Sequence, residues 1–147
     1  LRGISMKRNI FIILALLITT IVSNAQTAKT NEIVYELDNV KVVNKNGLAL
    51  NDFISLWQSD SNIVLVDVRT PEEIKETGTI KGAINIDYRA KGYAKKILSL
   101  DKSKKYMFYC KSGGRSGKTV QYLLDNGFKN VNYLKDGGYA ELSAALK

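Results

Sequence analysis

The sequence contains no histidine and a single cysteine among its 147 residues. Without imidazole the chain cannot run a Ser–His or Cys–His relay, nor supply histidines to a metal centre. One thiol excludes an intrachain disulfide and a cysteine-based metal site. No internal repeat or low-complexity tract is present, which argues against a solenoid or an array. The lysines at 91, 95, 96, 102, 104 and 105 lack interleaved aromatics or a nucleic-acid motif. The formal charge of +8 therefore reads as a solvated basic surface rather than a nucleic-acid site. Thiol chemistry, if the chain performs any, falls to Cys110 alone.

What surrounds that cysteine is informative. Tyr106 to Tyr109 reads as a short buried strand, and Ser116 to Asp125 as a helix with Val120, Leu123 and Leu124 on one face. Cys110 thus sits at the carboxyl end of a strand, in a tight turn running into a helix. Gly113 and Gly114 allow a concave turn with inward amide hydrogens, and the helix contributes unpaired N–H groups. Such a nest favours negative charge. With Lys111, Arg115 and Lys118 nearby, it should favour the thiolate near neutral pH and hold an anionic substrate.

Spacing separates three chemistries. Cys110 to Arg115 is C-x4-R, followed by Ser116, one residue shorter than the C-x5-R loop with which cysteine phosphatases encircle a phosphoryl group. Ser112-Gly113-Gly114-Arg115-Ser116-Gly117-Lys118-Thr119 nearly matches a nucleotide P-loop, with serine in place of the first glycine. The six residues Cys110, Lys111, Ser112, Gly113, Gly114 and Arg115 instead resemble the active-site loop of the rhodanese (sulfurtransferase) family, which cradles one persulfide sulfur.

Other segments carry the same resemblance. Ile63 to Arg69 reads as a buried strand of the parallel kind, followed by the capping box Thr70-Pro71-Glu72-Glu73 and closed by Gly78. Asp67-Val68-Arg69 through Glu73, then Gly78-Thr79-Ile80-Lys81-Gly82-Ala83 and Asn85-Ile86, resembles the family's first signature, and Gly137-Gly138-Tyr139 its closing turn. Thr79 replaces the usual histidine and Lys81 a common proline, departures expected to alter local packing and turn rigidity. The likeness spans roughly residues 40–146.

The resemblance implies an α/β fold, a mainly parallel sheet of about five strands with helices on both faces. It implies Cys110 as nucleophile, with Lys111, Ser112, Gly113, Gly114, Arg115 and Ser116 as the substrate-binding loop and Asp67 and Arg69 in support. The implied reaction moves a sulfane sulfur from thiosulfate or a similar anion to a thiol or cyanide acceptor through a Cys110 persulfide. Neither metal nor cofactor is implied. A sulfur-carrier or protein-binding module without turnover, working with a protein partner in its own compartment, is the alternative.

Strands are expected over 40–43, 63–68, 83–86, 106–109 and 131–134, and helices over 51–58, 71–76, 92–100, 116–125 and 139–146. Trp57 and Tyr93 fit apolar helix faces, whereas Tyr88, Arg89 and Tyr139 are candidates for the site's entrance. Residues 1–25 read as an export signal. Met6-Lys7-Arg8-Asn9 forms a positive start, Ile10 to Ile18 the apolar stretch, and Ser23-Asn24-Ala25 the cleavage site. The expected location is therefore periplasmic, with membrane attachment only if the signal stays uncleaved. Residues 26–39 read as a linker or edge segment ahead of a domain over 40–147.

Overall fold

The computed structural model describes residues 35–147 except Asn44. The expected export signal, and the linker up to residue 34, lie outside the described residues. Among the described residues no helix is long and apolar enough to cross a membrane.

Five strands, β1 (Gly47–Leu48), β2 (Ile63–Asp67), β3 (Ile84–Asn85), β4 (Lys105–Tyr109) and β5 (Val131–Leu134), form one sheet in the order β1-β5-β4-β2-β3. Every pairing is parallel. Five helices alternate with them: α1 (Leu50–Ser59), α2 (Pro71–Thr77), α3 (Tyr93–Leu98), α4 (Gly114–Asp125) and α5 (Tyr139–Ala145). Parallel strands need crossovers, and these helices supply them while covering the sheet.

Period-two alternation along the strands sorts the core into two layers. Val66, Tyr106, Phe108, Val131 and Tyr133 face α3 and α4, meeting Tyr93, Ile97, Val120 and Leu123. Ile63, Leu65, Met107, Tyr109 and Leu134 face the other way, against Phe53 of α1 and Leu142 of α5. Cys110 continues the parity of Tyr106 and Phe108 and belongs to the α3/α4 layer.

The expected strand over Val40–Val43 is not formed. These residues are coil, and the first strand is the short pair Gly47–Leu48 on the edge of β5. The valines do alternate, with Val40 and Val42 packed against the α3/α4 core, but their backbone finds no sheet partner. The Val43 amide donates to the Gln121 side chain on α4 instead, at 3.2 Å. A two-residue apolar repeat reports which side chains are buried, and here they are buried on a helix.

Candidate active site

Strand β4 ends at Tyr109, and the chain turns through Cys110 to Gly113 into the first turn of α4. Gly113 adopts φ 88°, where a side chain is strained, and a Cβ there would also press on the Leu134 carbonyl at 3.1 Å. That conformation aims the Gly113 N–H at Cys110 Sγ, 3.1 Å away, and the Ser116 hydroxyl reaches the same sulfur at 3.5 Å. Ser116 Oγ also lies 3.2 Å from the Gly113 carbonyl, bracing the turn from inside. Cys110 is only 2% exposed, whereas Lys111, Ser112 and Gly114 face solvent.

Arg115 does not hang free over the loop. Its Nη1 and Nη2 donate to Glu73 Oε2 and Oε1, both at 2.7 Å, in a bidentate clamp. The same Glu73 closes the capping box of α2, accepting the Thr70 N–H at 2.9 Å. One carboxylate thus ties the loop to the α2 start, while the Cys110 sulfur is a further favourable neighbour of the guanidinium. The Arg115 hydrogen bonds hold the Glu73 carboxyl at about 2, against an ordinary 4.5 and despite partial burial, with the Thr70 N–H assisting. A depressed folded-state pKa contributes stability above 4.5 that is lost as pH falls toward 2. Wild type should therefore lose on the order of 2 kcal/mol more than Glu73→Gln between these limits. Thermal melts in a pH series check this, and parallel curves for the two proteins would refute it.

Asp67 and Arg69 lie on the opposite side of the sheet from the sulfur, with the α1/α5 layer. Arg69 donates to Asp67 through Nε at 3.0 Å and Nη2 at 2.7 Å, and to Thr77 Oγ1 and the Gly78 carbonyl at 2.9 and 2.7 Å. Its guanidinium stacks 3.9 Å from the centre of the Tyr139 ring. Tyr139 in turn donates its backbone N–H to the Cys110 carbonyl at 2.8 Å. The pair therefore braces the loop from behind rather than meeting the thiol.

Thr79, standing in place of the family's usual histidine, joins this cluster from its solvent-exposed side. Its hydroxyl lies 3.0 Å from Asp67 Oδ2 and 2.9 Å from the Tyr109 hydroxyl, which itself donates to Asp67 Oδ2 at 2.9 Å. Burial pushes Tyr109 up to about 12, keeping it a neutral donor.

Of the three entrance candidates, Tyr139 lines an opening beside the loop. It walls a cleft of about 140 Å³ with Arg69, Glu73, Thr77 and Lys111. Tyr88 is buried and Arg89 lies over the Tyr35 ring. A larger cavity of about 600 Å³, between Trp57, Ile80 and Leu146, is remote from the sulfur, so chemistry rather than volume locates the site. Tyr93 is core as expected, and Trp57 is partly buried against the α1/α5 layer. The P-loop reading is excluded. Gly117 to Thr119 lie inside α4, and Lys118 Nζ is drawn to the Asp38 carbonyl at 2.9 Å rather than left facing a phosphate site.

Sequence reasoning missed Glu73 as the partner of Arg115 and Asp38 as the partner of Lys118. The capping box accounts for Glu73 locally and gives no hint of its distant partner. Asp38 carried no signal.

Comparisons with known proteins agree with this architecture. The family model for the rhodanese-like domain matches residues 51–145. A Bacillus subtilis protein, YtwF, whose name assigns it provisionally to the sulfurtransferases, is 43% identical over 75 residues, covering 51% of this chain and 70% of that one. A tRNA uridine(34) hydroxylase from Legionella pneumophila is 38% identical over 82 residues, covering 53% of this chain but only 32% of the hydroxylase. Among solved structures, a rhodanese-like domain protein from Staphylococcus aureus superposes with a TM-score of 0.53 at 26% identity, covering 66% of this chain and 90% of its own. A Rhodopseudomonas palustris protein of unknown function, described as a possible tyrosine phosphatase, gives 0.54 at 33%, covering 68% and 80%. The matched span, the five-stranded parallel sheet and the loop closed by Gly113 agree, and the chain belongs to the rhodanese-like domain family.

Proposed function

We propose that this protein is a sulfurtransferase that carries a sulfane sulfur on Cys110, taken from thiosulfate or a similar small anion. The observation that carries the reading is the sulfur held by the Gly113 N–H at the foot of a C-x4-R loop. In the first step the Cys110 thiolate attacks the outer sulfur of thiosulfate. A new S–S bond forms, the S–S bond of thiosulfate breaks, and its electron pair leaves with sulfite. Cyanide or a thiolate then takes the terminal sulfur, giving thiocyanate or a new persulfide and restoring the Cys110 thiolate. Both nucleophiles are anions, so no histidine is needed to remove a proton. The Gly113 N–H offsets charge on the sulfur, and the exposed Lys111 beside it offsets charge on the donor. The apolar run behind Met6-Lys7-Arg8 supports export as the setting.

Intact mass spectrometry after incubation with thiosulfate should show one added sulfur. Cyanide should remove it, and Cys110→Ser should lack it while melting within a few degrees of wild type. Sulfur gained by the serine variant, or turnover retained by it, would sink the assignment.

A further inference from the structure

Residues 35–43 precede the span matched by the family model, yet they are built into the layer that holds the thiol. Leu37 is 2% exposed and shares a core cluster with Tyr88, Tyr93, Val120 and Cys110. Glu36 accepts the Gly92 and Ala94 N–H groups, each at 2.7 Å, at the start of α3. The Val43 bond to Gln121 fixes the far end of the segment on α4. Val42 lies beside Ser112, Gly113 and Gly114 around one small cleft.

Asp38 is the centre of this segment. Its Oδ2 accepts the Tyr35 N–H at 2.9 Å, and its Oδ1 accepts the Tyr88 hydroxyl at 3.0 Å. Lys118 Nζ approaches the same Oδ1 at 3.5 Å while donating to the Asp38 carbonyl. Two routes lead from there to the loop. Lys118 is on α4, one turn after Arg115. Tyr88 packs on Tyr93, with ring centres 5.1 Å apart, the Tyr93 hydroxyl meets Thr119 Oγ1 at 2.7 Å, and Thr119 donates to the Arg115 carbonyl at 2.9 Å. Tyr88, Tyr93 and Thr119 are all buried, so displacing one displaces the next.

We infer that Asp38 is a positioning residue for the Cys110 loop, acting through Lys118 and Tyr88 from a segment outside the family-matched span. The inference rests on the reading of Cys110 as the working thiol. Cys110, a residue only 2% exposed, meets a reagent in forms where the loop and first turn of α4 have opened, and the Asp38 ties oppose that opening.

The test is the rate of Cys110 alkylation by iodoacetamide in the full chain, followed by intact mass well below the melting temperature. Asp38→Ala should alkylate about five-fold faster than wild type, because the open form gains population. Asp38→Asn keeps an oxygen to accept the Tyr35 N–H and an amide that can donate to the Tyr88 hydroxyl, and should stay within about two-fold. Should the alanine variant fail to fold, Tyr88→Phe removes only the hydroxyl and should accelerate alkylation about three-fold. Asp60→Ala, which breaks the exposed pair with Lys105 at the other end of the sheet, should leave the rate unchanged. An alanine rate equal to wild type, an asparagine rate equal to alanine, or equal acceleration by Asp60→Ala would overturn the assignment. Thiosulfate loading of wild type, run in parallel, separates the two readings. No loading counts against sulfur transfer, while the alkylation ratios decide the role of Asp38 by themselves.

Discussion

Asp67→Ala should cost about 3–5 kcal/mol of stability, the expected loss when one partner of a buried ion pair is removed. Asp67 is fully buried and Arg69 nearly so. The carboxylate accepts from the Arg69 backbone N–H, the Arg69 guanidinium, Thr79 and Tyr109. Removing it strips the buried guanidinium and the Tyr109 and Thr79 hydroxyls of their shared acceptor. Because Arg69 also stacks on Tyr139, whose N–H holds the Cys110 carbonyl, the damage should reach the loop. Urea unfolding followed through the single Trp57 measures the loss, and persulfide loading under native conditions measures the second effect. A change below about 1 kcal/mol would mean that water satisfies the cluster as well as Asp67 does.

The second large effect is expected at Gly138. Its φ of −160° is ordinary extended backbone, so conformational freedom is not what glycine supplies there. A Cβ at this position would overlap the Lys111 carbonyl and crowd that of Cys110, both backbone groups that cannot swing aside. Gly138→Ala should therefore destabilise the protein by about 3 kcal/mol and push the loop outward, slowing sulfur loading at least about ten-fold. Gly137→Ala is the control, because a Cβ there finds only the flexible Glu141 side chain at 3.6 Å. Equal loading by the two variants would show that the loop does not depend on this close approach.

The parts of the site that could be read from sequence are those made by neighbours along the chain. The capping box from Thr70 to Glu73, the β4-turn-α4 unit around Cys110 and the helical face of Val120 and Leu123 each fit within a dozen residues, where periodicity and turn chemistry decide the outcome. The clamp of Arg115 joins residues 42 apart and the Lys118 tie residues 80 apart. Local pattern contains no information on either pairing. The Val40–Val43 error has the same root. Alternation showed that one side of the segment is buried without showing whether a strand edge or a helix buries it. Thr79 is subtler. Its departure from the family pattern was expected to act through packing, and the structure adds a hydroxyl that bonds within the Asp67 cluster.

The depth of Cys110 also bears on whether two copies of the chain can be joined through it. A disulfide requires two Cα atoms within about 7 Å. Here the sulfur lies at the bottom of its own loop, behind the exposed Lys111 and Ser112. Two copies of this chain cannot staple themselves together through it without first dismantling the turns that hold it. The same depth acts as a gauge. Reach to the sulfur is set by how far the loop opens, so a slender anion needs a smaller opening than a cysteine embedded in a flat protein surface.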